Sequence, residues 1–316
     1  MTDNFRVEFN IPEENINLNH GACVVTMGSC FSDEIGEKIS EAGFDVYVNP
    51  FGTLFHPNSI AHALSFALGE RKFHHVKKGD VFLDYGFSGK LYAMSEQELF
   101  LKLGTLGDEL ARKLRYATHL ILTFGTSNGY KLSSNFLVAN CHQQPAANFN
   151  KVVSSTDEMN RSISSILKQL RRINSNLKVL STVSPVRHLK DGVIENSRSK
   201  AKLLALCELL EGEGVGYFPA YEIFMDELRD YRFSKEDLAH PNEIAVQYIW
   251  NKFKNTYLDD NTLNLSSEVE AYHRSLNHKY LYPESKEASV FREKLIQTRD
   301  NLINRMPNLR LKDLPL

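Results

Sequence analysis

An α/β fold with a parallel sheet covered on both faces is predicted by two observations. Five short β-prone runs recur along the chain, and amphipathic stretches with a period near 3.6 residues separate several of them. Strands joined through helices form βαβ units, whose crossovers lay helices on the sheet faces. The strand runs are residues 24–27, 44–48, 119–124, 178–183 and 215–219. Behind the first, residues 33–42 set Ile35 and Ile39 on one side, with Ser32 as N-cap and Gly43 as the stop. Residues 157–174 carry one stripe of Met159, Ile163, Ile166, Leu167, Leu170 and Ile173, and residues 197–211 repeat the pattern with Leu203, Leu206 and Leu210. Residues 242–253 place Ala245, Ile249 and Phe253 on one face, and Pro241 fits the first position of that helix.

Residues 70–100 break the rhythm. Lys77-Lys78-Gly79-Asp80 and Phe87-Ser88-Gly89-Lys90 are turn chemistry flanking residues 81–85 and 91–94, which predicts a β-hairpin insertion. After Phe253 the chain turns more polar. Residues 257–316 read as a helical appendage to a catalytic domain of residues 1–256, with Val290, Leu295, Ile296, Leu302 and Ile303 among charges in 285–306. It either packs back on the body or joins copies of the chain into a homo-oligomer.

With 316 residues and 42% apolar content the chain buries a large core. A net charge of −2 leaves no footprint for nucleic acid or an anionic membrane. No apolar run approaches the roughly 20 residues of a membrane span. Residues 1–6 lack a basic region followed by an apolar stretch, so no signal peptide is visible. Cys23, Cys30, Cys141 and Cys207 show no C-x-x-C spacing, and His74-His75 and His56 with His62 lack thiolates or carboxylates arranged around a metal. The expectation is therefore no metal, no cofactor and reduced thiols in the cytoplasm. Cys23, Cys141 and Cys207 read as packing residues.

Ligands of open α/β sheets bind beyond the carboxyl ends of the strands, so polar residues there are the candidates. Met27-Gly28-Ser29-Cys30-Phe31-Ser32 closes the first strand and opens a helix. A helix N-terminus is expected to lower the pKa of the Cys30 thiol, and Ser29 is a second candidate nucleophile in the same turn. The plainer reading of Cys30 is an inert buried cysteine. Asp237-Leu238-Ala239-His240-Pro241-Asn242 lies just before a helix. Asp237 is placed to hold one ring nitrogen of His240, leaving the other as general base. Against this stands a capping aspartate beside a surface histidine. Asn128, Asn140 and the Gly52 N–H are candidate oxyanion donors, although Asn and Gly in loops also serve local turns. Arg187, in Ser184-Pro185-Val186-Arg187-His188, is a cation for a substrate carboxylate or phosphate, or else the ion-pair partner of Glu195 or Asp191.

In this order the segments resemble the bacterial GSCFA family, whose motif reads Gly28-Ser29-Cys30-Phe31-Ser32 here, with Ser32 in place of the final Ala. Asn49-Pro50-Phe51-Gly52, Val138-Ala139-Asn140-Cys141-His142, Ser184–His188, Asp230-Tyr231-Arg232-Phe233 and Asp237-x-x-His240-Pro241 also look like family segments, spanning roughly residues 20–255. That family is in turn similar to the GDSL or SGNH hydrolases. The resemblance implies a flavodoxin-like three-layer α/β/α sandwich and ester hydrolysis or acyl transfer on a small-molecule or glycan ester. It puts Cys30 at the nucleophile position, with Asp237 and His240 as the last block. It makes Gly52 the signature glycine, and it favours Asn140 over Asn128 because Gly125-Thr126-Ser127-Asn128 puts Ser where Asn is expected. Arg187 and His188 are then substrate-binding candidates. A protein that kept the fold and its crevice for binding, without turnover, is the competing expectation.

Overall fold

The computed structural model describes residues 7–12, 16–278 and 281–313. The chain's first six residues, and the reading made of them, lie outside that set. Its strands are β1 (Cys23–Gly28), β2 (Asp45–Val48), β3 (His75–Lys78), β4 (Val81–Asp84), β5 (His119–Phe124), β6 (Asn128–Lys131), β7 (Leu137–Val138), β8 (Asn150–Val153), β9 (Lys178–Val183) and β10 (Gly216–Tyr217). Its helices are α1 (Cys30–Glu41), α2 (Pro57–Ala67), α3 (Glu96–Tyr116), α4 (Thr156–Ile173), α5 (Val193–Glu211), α6 (Ala220–Glu222), α7 (Glu243–Tyr257), α8 (Asp260–Leu276) and α9 (Lys286–Arg305).

The central sheet runs β10-β9-β5-β1-β2, and every neighbouring pair is parallel. Numbered by their own succession these five strands lie 2-1-3-4-5, the flavodoxin-like order. Alternation of side chains divides the core. Val25, Met27, Leu120, Leu122 and Val179 pack with α2, α3, α4 and α5 on one face, and Val24, Ile121 and Leu180 pack with α1 and α7 on the other. Because the order reverses at β1, the loops after β1 and β5 diverge and open a crevice at their carboxyl ends.

Several local expectations shift. Helix α1 begins three residues earlier than its sequence suggests: Ser29, not Ser32, is the N-cap, which draws Cys30 into the first turn. Gly43 stops the helix as expected, at φ +91°. Asn242 caps α7, so Pro241 precedes the helix instead of opening it. The hairpin pairs β3 with β4 around Gly79-Asp80. Residues 91–94 form no strand; only Ala93 bridges to Phe82. The β-prone run at 215–219 yields just two ladder residues. Helices α2 and α3, and a second antiparallel sheet β7-β6-β8, are additions to the sequence reading.

Helices α8 and α9 form a small core of Leu265, Val269, Tyr272, Leu295, Leu302 and Leu309, while Val290 and Ile296 stay exposed. The pair docks on the body. Glu270 receives the Trp250 indole N–H at 2.8 Å and the buried Lys254 ammonium at 2.8 and 2.9 Å. His273 Nδ1 lies 2.8 Å from the Glu41 carbonyl, and the Arg310 N–H donates to Gly43 O at 2.9 Å. Among the described residues no helix is long and apolar enough to cross a membrane.

Candidate active site

The turn that carries Ser29 and Cys30, the candidate nucleophiles, is held by backbone geometry that only glycine permits. Gly28 sits at φ +150°, and a Cβ there would overlap the Thr123 carbonyl of β5. The next N–H, of Ser29, donates to that same carbonyl at 3.1 Å. Ser29 is 0% exposed and its hydroxyl is buried without a hydrogen-bond partner. Cys30, one residue on, is half-buried and reachable. The expected lowering of its pKa is not what the structure yields. Burial, then the charges of Glu34 and Asp33, push the thiol up, outweighing the Phe31 and Cys30 N–H groups that favour the thiolate. The helix N-terminus is present, but two acidic residues in its first turns offset its field.

Asn49 supports this turn. Held at φ +40°, it accepts the Gly28 N–H at 2.8 Å and donates to Asp33 at 2.6 Å. Gly52, expected as an oxyanion donor, instead closes a turn: its N–H donates to Asn49 O at 2.7 Å, and Ser88 fills the space a Cβ would take. The other two donor candidates make local bonds of their own. Asn140 is exposed, and its side-chain oxygen accepts the His142 N–H at 2.8 Å. Asn128 is a ladder residue of β6, its N–H bonded to Thr126 Oγ1 at 3.0 Å. Among the described residues no hydrogen bond joins Gly52, Asn128 or Asn140 to Cys30 or His240.

The candidate base and its carboxylate partner are brought together. His240 Nδ1 lies 2.6 Å from Asp237 Oδ2, and Asp237 Oδ1 accepts the Ala239 and His240 N–H groups, each at 3.0 Å. Those three bonds hold the Asp237 carboxyl well below the usual range, the backbone bonds being the larger cause. The loop that carries the pair is closed by Lys235 N to His240 O at 2.8 Å and Asn242 N to Phe233 O at 2.8 Å.

Two cations tie this loop to the rest of the crevice. Lys235 pairs with Glu34 at 2.8 Å, and Glu34 lies one turn from Cys30 on α1. The charges of Cys30 and Asp237 both act on Lys235. Nucleophile helix and base loop therefore meet at this lysine, although no hydrogen bond joins Cys30 to His240 among the described residues. From the other side, Arg187 donates its N–H to Ala239 O at 3.1 Å and its guanidinium to the Leu238 carbonyl, and it stacks over Tyr231. Arg187 thus braces the loop that carries His240, with its Nε left buried and without a partner, and the expected ion pair with Glu195 or Asp191 is not formed. Glu195 pairs with Arg198, and Asp191 with Lys151.

His188 faces Phe55 edge-on, its Nε2 buried without a partner. Burial, then the charges of Lys200 and His240, push its pKa down to about 4. Lys200 went unnoticed in the sequence. It is 1% exposed and donates to Gly125 O at 2.9 Å and Ser184 O at 2.7 Å. Its signal was available: Lys200 occupies the apolar stripe of α5 with Leu203, Cys207 and Leu210, where a charge is costly unless it is bonded. Asn196, one turn earlier, and the adjacent Ser199 hold the His188 and Ser127 N–H groups, so this end of α5 organises the loops after both β5 and β9.

A groove of about 820 Å³ runs from Glu34 and Lys235 between α1 and α7, lined also by Glu37, Glu243, Gln247 and Tyr248. Among the described residues no group of three or more His, Cys, Asp or Glu side chains is arranged to hold a metal. In comparison with known proteins, residues 23–253 match the model of the GSCFA family, well over half of the chain. No curated protein matches.

Proposed function

The chain belongs to the GSCFA family, and on that premise we propose that it is an acyl-ester hydrolase working through Cys30, His240 and Asp237. The observation that carries this reading is the 2.6 Å bond from His240 Nδ1 to Asp237, in a loop tied to the nucleophile helix through Lys235 and Glu34. Asp237 fixes the tautomer, leaving Nε2 to take the thiol proton. The Cys30 sulfur then attacks the acyl carbon. The tetrahedral oxyanion faces the Cys30 and Phe31 N–H groups at the positive end of α1, each donor contributing about 3 kcal/mol in the transition state. Collapse returns the proton to the departing alkoxide and leaves a thioester. Water activated by His240 releases the acid and restores the thiol. An acceptor alcohol entering in place of water would make the same site an acyltransferase. The likeness to GDSL and SGNH hydrolases argues for a small-molecule or glycan ester, and four free thiols suit a reducing cytoplasm.

The test is p-nitrophenyl acetate hydrolysis by Cys30→Ala and His240→Ala. Both variants are expected to lose turnover with unchanged circular dichroism; activity retained in both would overturn the assignment. One observation favours a second reading, ligand binding without turnover: the Cys30 thiol is held up in pKa in the resting crevice. Iodoacetamide labelling of Cys30 that is slow and indifferent to His240→Ala would select it.

A further inference from the structure

The chain leaves α6 through a π turn, Ile223–Glu227, closed by the Leu228 N–H on the Ile223 carbonyl at 3.0 Å. A turn this wide is uncommon and recurs where a helix shapes a functional site. Here it sets Phe224 and Leu228, both buried, and the half-buried Met225 along the wall of a cavity of about 250 Å³. That volume lies below the roughly 300–1,000 Å³ of pockets for drug-sized ligands, so the occupant is small. The cavity shares no lining residue with the groove between α1 and α7.

Its polar lining is cationic. Arg187 contributes a side chain whose Nε is buried without a partner, and a buried donor is costly to leave unpaired. Arg229 is exposed, and among the described residues its guanidinium makes no hydrogen bond or ion pair. The one carboxylate in the lining, Asp230, is turned to Arg232: it accepts the Arg232 N–H at 2.9 Å and lies 3.9 Å from the Arg232 Nε. Two cations without a counter-charge therefore stand beside apolar walls.

We propose that this cavity is a binding site for a small carboxylate with a short apolar tail. The tail packs on Phe224, Met225 and Leu228, and the carboxylate pairs with Arg229 and the Arg187 Nε. An acid without a tail leaves the walls unfilled, and an alcohol with one leaves both cations unpaired. Carboxylic acids are also what ester hydrolysis releases, so on the hydrolase reading the ligand is of the product's class, although the site stands without that reading. The Arg187 guanidinium also donates to the Leu238 carbonyl, so an occupant shares this cation with the loop that carries His240.

The test titrates sodium hexanoate into the full chain and follows the Met225 methyl resonance and the Arg187 Nε–H resonance. Both are expected to shift with one dissociation constant. Arg229 is exposed, so Arg229→Glu leaves the fold in place and should weaken binding at least about tenfold. Met225→Trp fills the cavity and should abolish binding. Hexanol binding as tightly as hexanoate would overturn the role of the cations, and acetate doing so would overturn that of the walls. An unchanged affinity in Arg229→Glu, or an Arg187 Nε–H resonance unmoved at saturation, refutes the site. No readout here involves turnover, so the assays of Cys30→Ala and His240→Ala decide the catalytic reading separately.

Discussion

The guanidinium of Arg187 donates to the carbonyl of Leu238, two residues before His240, and the Arg187 N–H holds the carbonyl between them. Leu238 sits at φ +55°, a conformation that a free chain seldom keeps for leucine. The loop after β9 therefore imposes the shape of the base loop. Replacing Arg187 with Ala should lower kcat roughly 100-fold with KM within about twofold, because an imidazole displaced by about 1 Å no longer meets its proton. A large rise in KM with kcat preserved would instead return Arg187 to substrate binding.

Asp237→Asn separates orientation from charge. The amide keeps the shape of the loop but does not hold the tautomer that leaves Nε2 free, so turnover should fall on the order of 10⁴-fold, and stability near neutrality should fall as well, because the charge-assisted bonds from the Ala239 and His240 N–H groups are weakened. Asp237 is held below its unfolded value near 3.9 by the His240 and Ala239 N–H groups. Its stabilising contribution is therefore present above that value and is lost as pH falls through the folded pKa. Turnover of Asp237→Asn within tenfold of the parent protein would remove the aspartate from the mechanism.

Asn49→Ala should cost about 2 kcal/mol, since it strands the buried Gly28 N–H and releases Asp33. The left-handed φ of Asn49 adds to this, because asparagine tolerates it better than alanine. Urea unfolding reads the result as a shifted midpoint at constant slope. A midpoint within error of the parent would mean that the turn holds itself.

Acid should weaken the fold well above the carboxylate range. Burial pushes His56, His62, His119 and His188 down to about 4. A histidine with a lowered folded pKa gives its full stability above the unfolded value near 6.5. That contribution declines as pH falls from there toward 4. For His56 the loss is on the order of 3 kcal/mol. Its Nδ1 accepts the Asn58 N–H that caps α2, a role an imidazolium does not fill. His56→Asn keeps a capping oxygen without a titrating ring, so its urea midpoint should vary less between pH 7 and 5. An undiminished slope would take His56 out of the account.

The parallel sheet was readable because its strands are buried on both faces and so appear as apolar runs; β5 and β9 match their predicted bounds residue for residue. Strands of four residues with polar members, such as β6 and β8, carry too little pattern to stand out. The hairpin shows the same limit. Both turn sequences are genuine turn chemistry, yet only Gly79-Asp80 joins paired strands, a choice made by which apolar side chains find the core. The Asp237–His240 pair was legible because its members stand three positions apart and a single loop can close around them.

By itself the sequence determined what is local: the strands of the parallel sheet and the helices α1, α4, α5 and α7, the Gly28 turn that ends β1, and the aspartate that bonds His240. Tertiary structure decided what depends on distant neighbours. It made Arg187 a brace for the base loop, closed the Gly52 N–H into a turn, and set Lys200 under the strand ends. It also turned the Cys30 thiol upward in pKa, where helix position alone predicts the opposite. The physical reason is range: dihedral preference and periodicity act over a few residues, whereas burial and charge are sums over everything the fold brings near.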